Sequence, residues 1–210
     1  PYYIAIEGNI GVGKSSLAKL LNARLDAKLI LEKFENNPFL VDFYNNHERF
    51  AFQTQLFFLL SRYRQQQDLH QIDLFTKTLI TDCMFVKDRL FAMLNLNDKE
   101  MSLYNSLATI LEKNVIVPDL VIFLQADTDR LIQNIKIRGR EYEKTIDWKY
   151  IDALNHIYNE YFFRYDKSPL LIININDIDF VNNKDDLEEI IHFIRTPGEG
   201  TRYYNPVKSI

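Results

Sequence analysis

Gly8-Asn9-Ile10-Gly11-Val12-Gly13-Lys14-Ser15 brings together the residue types that hold a triphosphate: a glycine, four residues, then Gly-Lys-Ser. Glycines let the backbone curl against phosphate oxygens and present successive N–H groups with no side chain in the way. Lys14 adds a mobile cation for the terminal phosphates, and Ser15 offers a hydroxyl to magnesium. The helix that begins here, with Ser16 in its first turn, points its positive end at the same oxygens. A nucleoside triphosphate such as ATP, with Mg2+, is the ligand this pattern predicts.

A phosphate loop needs a strand before it and a helix after it. Tyr2 to Glu7 is a β-rich run, and Leu17, Leu20, Leu21 and Leu25 recur at helical spacing over Ser16 to Leu25. Further apolar runs predict strands at Lys28 to Leu31, Thr78 to Thr81, Leu120 to Gln125 and Leu170 to Ile175. Helical patterns fill the gaps, at Phe50 to Gln67, Met101 to Lys113, Thr128 to Ile137, Trp148 to Tyr165 and Asp185 to Ile194. This alternation predicts an α/β fold of the phosphate-loop kinase type, a five-stranded parallel sheet with helices on both faces and a short lid. One domain over residues 1–195 is expected, followed by an irregular tail over 196–210 that is rich in turn residues such as Pro197, Gly198, Gly200 and Pro206.

An open parallel sheet binds its ligand beyond the carboxyl ends of its strands. The residues there are Glu7 with the glycine loop, Glu32, Asp82, Asp127, and Asn176 with Asp177. Asp82 suits magnesium alongside Ser15. Asp127 and Asp177 also suit a helix cap or a solvated loop, and Asp177 is carried as a candidate nucleotide contact.

Composition narrows the partners. At 210 residues and 47% hydrophobic content the chain can bury one good core. A net charge of −4 leaves no basic footprint for a nucleic-acid polymer. Cys83 is a lone cysteine, which excludes an internal disulfide and fits a cytoplasmic location. No apolar run reaches membrane-spanning length, no signal-peptide pattern opens the chain, and the four histidines lack metal-ligand spacing.

A second constellation lies outside the loop. It comprises Glu32-Lys33-Phe34-Glu35-Asn36-Asn37-Pro38-Phe39, then Tyr44, Gln55 and Arg62, and the Arg138-Gly139-Arg140 cluster ahead of Glu143. Together with the loop these residues resemble the deoxynucleoside kinase family, most of all its bacterial deoxyadenosine and deoxyguanosine kinases, over nearly the whole chain. A kinase acting on a nucleoside must activate a 5′-hydroxyl near the γ-phosphate, and a carboxylate ending the second strand could accept that proton. The resemblance implies this role for Glu32.

Gln55, Leu59 and Arg62 fall at i, i+4 and i+7, on one helix face. A glutamine amide can bond bidentately to adenine or cytosine. The resemblance implies that Gln55 and Arg62 read the base with Asp88, that Phe91 stacks on it, and that Tyr44 and Glu143 hold the sugar 3′-hydroxyl. An ionised aspartate only accepts hydrogen bonds, so Asp88 suits an exocyclic amine better than a thymine carbonyl. Lys136, Arg138 and Arg140 resemble the lid that closes over the triphosphate. Deoxyadenosine is the favoured substrate, with deoxyguanosine or deoxycytidine as alternatives, and the resemblance implies a homodimer packed through long helices.

Two positions depart from the family pattern. Its third strand is usually followed by an acid, an arginine and a serine or threonine, but here the chain reads Asp82-Cys83-Met84. A neutral thiol cannot replace a guanidinium. Either Arg89 or a lid cation must supply the charge, or the site is arranged differently. Asn134 likewise stands where many members carry a lid arginine. Rival functions fit less well. Asn183-Lys184-Asp185-Asp186 matches a guanine-reading pattern, yet no Asp-x-x-Gly occurs in the chain, and Asn183 also suits a helix cap. A nucleoside monophosphate kinase would need cations where Glu32 and Glu35 stand, and a non-catalytic nucleotide-binding module would hold ATP without turnover.

Overall fold

Alternating side chains of the first strand, β1 (Tyr2–Gly8), send Tyr3 and Ala5 to one face of the sheet and Ile4 and Ile6 to the other. All four are buried, so both faces must be covered. The computed structural model describes residues 2–72, 75–196 and 198–206.

After β1 the chain runs through α1 (Lys14–Leu25), β2 (Lys28–Ile30), α2 (Leu40–Asn45), α3 (His47–His70), β3 (Thr78–Thr81), α4 (Lys87–Asn95) and α5 (Asp98–Leu111). It continues through β4 (Leu120–Gln125), α6 (Thr128–Arg138), α7 (Trp148–Phe163), β5 (Leu170–Asn174), α8 (Lys184–Arg195) and β6 (Thr201–Tyr204). The strands lie in the order β2-β3-β1-β4-β5-β6, and every adjacent pair is parallel. One face packs Ile4 and Ile6 with Leu17 and Leu21 of α1, Leu131 of α6 and Ile190 of α8. The other packs Tyr3 and Ala5 with Leu69 of α3, Leu90 of α4, and Tyr158 and Phe162 of α7. Because the chain leaves β1 toward β2 and later crosses to β4 on the opposite side, a crevice opens beyond the carboxyl ends of β1 and β3.

Three elements depart from the sequence expectation. Among the described residues the sheet has six strands, not five: residues 201–204, expected to be irregular, pair with β5 from Leu170 opposite Thr201 to Ile173 opposite Tyr204. Tyr204 packs its ring on Phe193 of α8 with centroids 5.0 Å apart, which gives this short edge strand an apolar anchor. Pro197, expected within the tail, lies outside the described residues. Helices α2 and α4 were not anticipated. The first has only six residues, too few for a period, and the buried face of the second carries Asp88 among Leu90 and Ala92. A charged residue on the inward face erases the apolar stripe that marks a helix.

The glycine loop is held against α6. Gly11 has φ 83°, and a Cβ there would come within 2.8 Å of Ile135 Cγ1 and 2.9 Å of the Leu131 carbonyl oxygen. Gly11→Ala therefore combines left-handed strain with a backbone overlap, and it should lower unfolding free energy by at least about 2 kcal/mol in urea denaturation.

Candidate active site

The turn from loop to helix leaves its backbone donors available. Gly13 occupies the N-cap of α1 at φ 100°, and no side chain caps the helix. Lys14 Nζ rests on the carbonyl oxygens of Gly8 and Asn9 at 2.8 and 3.0 Å. Burial first, then the facing Lys87 ammonium, lower its pKa to about 8. Asn9 clamps the loop to α7 by donating to the Ile151 carbonyl and to Asn155 Oδ1, both at 3.0 Å. Asn134, one of the two departures, donates from Nδ2 to the Gly11 carbonyl at 2.9 Å, tying α6 to the loop.

Asp82, just beyond β3, joins the loop to the end of β2. Its Oδ2 accepts from Ser15 Oγ at 2.8 Å and its Oδ1 from the Glu32 backbone N–H at 2.7 Å. A hydroxyl beside a carboxylate is an oxygen donor set that fits a hard divalent cation.

Glu32 occupies the floor of the crevice. Arg62 Nη2 of α3 donates to its Oε1 and Lys87 Nζ of α4 to its Oε2. Burial alone would raise this carboxyl, but Arg62, Lys87 and Lys14 outweigh it and hold the pKa at about 2. Asp88, 1% exposed, is the next carboxylate outward. It accepts from Gln55 Nε2 at 2.8 Å, Arg62 Nη1 at 3.0 Å and the Tyr104 hydroxyl at 2.5 Å. Burial pushes its pKa up to about 6 against the pull of Arg62 and Tyr104. Gln55 Oε1 accepts from Asn95 at 3.1 Å, and Asn95 Oδ1 accepts from the Tyr150 hydroxyl at 3.0 Å. The orientation of the Gln55 amide is thereby set from both ends.

Across the crevice, Gly139 ends α6 at φ 67°, turning the chain so that Arg138 and Arg140 both reach back to Glu143. Arg138 Nη2 meets Glu143 Oε1 at 2.5 Å, and the Arg140 guanidinium also lies 4.3 Å above the Phe34 ring. Glu143 is buried, and Tyr44 stacks on Tyr142 at 5.6 Å. Burial raises the Tyr44 hydroxyl well above its ordinary range, and Tyr150 and Glu143 nearby push the same way.

One cleft, enclosing about 820 Å³ including its open mouth, collects these groups. Ile10, Gly11, Lys14 and Ser15 line one end; Gln55, Arg62, Asp88 and Phe91 line the other; Glu32 and Asp82 lie at the floor, with Tyr44, Arg138, Arg140 and Glu143 also on the wall. Gly8, Asn9, Val12, Gly13 and Ser16 complete the loop and the start of α1 beneath. Phe91 serves wall and core together, since its ring also packs edge-on against Tyr158 at 6.3 Å. Lys136 and Asp177 are exposed and do not line the cleft. Asn183 caps α8, accepting from the Asp185 N–H at 3.0 Å. Lys87 and Asn95 were not anticipated, because their helix α4 was not; Tyr104 lies on the expected α5, but no sequence spacing ties it to Asp88. Phe34, quoted above only as part of the Glu32 to Phe39 run, lines the cleft, as do Phe58 and Tyr142, which were not singled out. Arg89 pairs with Glu112 at 3.0 Å and is not among the lining residues, so it does not supply the charge missing at Cys83.

A phosphate loop at the switch point of a parallel sheet, facing an enclosed pocket that ends in acceptor and donor side chains, defines a phosphoryl-transfer enzyme with a small-molecule acceptor. The deoxynucleoside kinase family model matches residues 4–196, and the chain belongs to that family of transferases. It is 32% identical to a deoxyguanosine kinase of Bacillus subtilis over 92% of this chain and 96% of that protein. It is 33% identical to a deoxyadenosine kinase of Dictyostelium discoideum over 98% of this chain and 82% of the relative. A solved structure of deoxyadenosine kinase from M. mycoides with bound dATP superposes with a TM-score of 0.80 at 24% identity, over 92% of this chain and 100% of that one.

Tyr104 reaches Asp88 from α5, outside the cleft lining, so its hydrogen bond can be removed without touching the walls. Tyr104→Phe should cost about 1.5–3 kcal/mol of stability, the range for a hydrogen bond to a charged group, read from denaturant unfolding.

Proposed function

We propose that the protein transfers the γ-phosphoryl group of ATP to the 5′-hydroxyl of a deoxynucleoside, favouring deoxyadenosine, with deoxyguanosine or deoxycytidine as alternative acceptors. The observation that carries this reading is Glu32, a carboxylate kept ionised on the cleft floor between the phosphate loop and the Gln55–Arg62–Asp88 pocket.

In this reading the backbone of residues 8–16 and Lys14 hold the donor phosphates, and Lys136 and Asp177 assist at the nucleotide from outside the cleft. Ser15 and Asp82 would hold Mg2+, which when bound neutralises phosphate oxygens. The sugar lies against Tyr44 and Glu143, and the base lies along Phe91 with its polar edge toward Gln55, Arg62 and Asp88. Glu32 accepts the 5′-hydroxyl proton as the new oxygen–phosphorus bond forms and the bond to ADP breaks. Arg138 and Arg140, held on Glu143 in this structure, exchange that carboxylate for the phosphoryl group as the triphosphate arrives. Filling the donor site then frees Glu143 to accept from the 3′-hydroxyl, which couples the two substrates.

The acceptor end favours a neutral nucleoside over a nucleotide. Its cations Arg62 and Lys87 are already committed to Glu32 and Asp88, leaving little for an acceptor phosphate. Among the described residues no helix is long and apolar enough to cross a membrane. We infer a cytoplasmic homodimer; the exposed Met93, Leu103, Leu107 and Ile110 of α4 and α5 support an apolar contact between copies.

Phosphate transfer from ATP to each common deoxynucleoside and ribonucleoside, measured as kcat/KM, tests the substrate assignment. Glu32→Gln should lower kcat by at least about 10²-fold while the fold persists, and a variant with wild-type kcat would remove Glu32 from the reaction. Asp88→Ala removes the acceptor that suits an exocyclic amine and should shift preference toward thymidine. An unchanged ranking of deoxynucleosides would count against the assigned base pocket.

A further inference from the structure

Cys83 leaves the end of β3 without a cation. Its thiol is buried, lies 3.9 Å from Gln65 Oε1, and is pushed far up by burial and then by Glu32, so it stays neutral. Arg89 is turned to Glu112, and the lid arginines are held on Glu143. The cation that this segment does deliver to Glu32 is Lys87, four residues further on.

The placement of Lys87 is fixed by its surroundings. Glu7 accepts the Met84 N–H on Oε1 at 2.6 Å and the Gly8 N–H on Oε2 at 3.1 Å, strapping the turn after β3 to the phosphate loop. That strap sets where α4 begins, and Lys87 is its first residue. Its side chain, 12% exposed, takes one Glu32 oxygen while Arg62 takes the other, and its ammonium faces Lys14 across the floor. Lys87 thus pairs with the carboxylate while sharing the floor with the cation of the phosphate loop.

We propose that Lys87 is a positioning residue for Glu32, holding the carboxylate turned toward the acceptor hydroxyl in place of the guanidinium that Cys83 does not provide. The inference rests on the reading of Glu32 as the base. Without Lys87, Oε2 would lose its donor and Arg62 alone would hold the carboxylate, by one oxygen, leaving it able to turn. The other groups facing Glu32 do not substitute for it. Arg62 is divided with Asp88, Lys14 rests on backbone carbonyls, Asp82, Asp88 and Glu7 are acidic, and Cys83 and Tyr158 are neutral. During transfer the 5′-hydroxyl proton passes to Glu32, the new oxygen–phosphorus bond replaces the one to ADP, and Lys87 keeps its own proton throughout.

The test uses the full chain with ATP and deoxyadenosine, following kcat and KM at neutral pH. Lys87→Met should lower kcat at least about tenfold and leave the KM for ATP nearly unchanged. Lys87→Arg, which keeps a charged donor for Oε2, should restore most of kcat, and Lys87→Gln carries the methionine expectation should that variant not fold. Adding Lys87→Met to Glu32→Gln should cost almost nothing further, because both act on one carboxylate. Full kcat in Lys87→Met, or a full multiplicative loss in the double variant, overturns the proposal. Glu32→Gln at full rate would instead overturn the assignment of the base, and a wild type inactive on every deoxynucleoside would overturn the function itself.

Discussion

Burying a carboxylate is costly unless cations meet it, and the cleft of this protein is organised around that cost. Glu7, Glu32, Asp82 and Asp88 are gathered at the carboxyl ends of β1, β2 and β3 or just beyond, with Lys14, Arg62 and Lys87 between them. Four anions against three cations leave the floor close to neutral. Each cation comes from a different helix, so α1, α3 and α4 must all be in place before the charges balance. The same contacts that make the burial tolerable also fix the direction of every group that could touch a substrate.

Parallel topology is what makes this convergence available. All strands end on one side of the sheet, and the reversal at β1 and β3 opens a gap there that helix termini and turns can line. The glycine loop is pressed against α6 through Gly11 and against α7 through Asn9. Arg138 and Arg140, by contrast, are held by charge, both on Glu143. A braced floor beneath arginines held by ion pairs suits chemistry that needs positioning and exclusion of water.

Much of this was legible before any coordinates. The loop is readable because its glycines are demanded by backbone approach, and strands β1 and β4 are readable because both faces are buried and the runs are largely apolar. Gln55 and Arg62 were placed together by helical spacing alone, and both do meet Asp88. The edge strand β6 was not legible, since Thr201 to Tyr204 gains its partner only from β5, over 25 residues earlier in the chain. Helix α4 was hidden for a different reason: its inward face serves the site, so it carries charge where an apolar stripe would have announced it.

Residue types and spacing by themselves determined a phosphate-binding loop at the end of β1 and set Gln55 and Arg62 on one helix face; Asp88 joined them only through the family resemblance. They could do so because backbone sterics and helical periodicity are local rules. Tertiary structure alone decided which cation answers which carboxylate: Arg89 leaves for Glu112, Lys87 turns to Glu32, and the lid arginines settle on Glu143. Charge pairing acts through space over a few ångströms, and neighbours at that range are assembled by the crossing of strands and helices far apart in the chain.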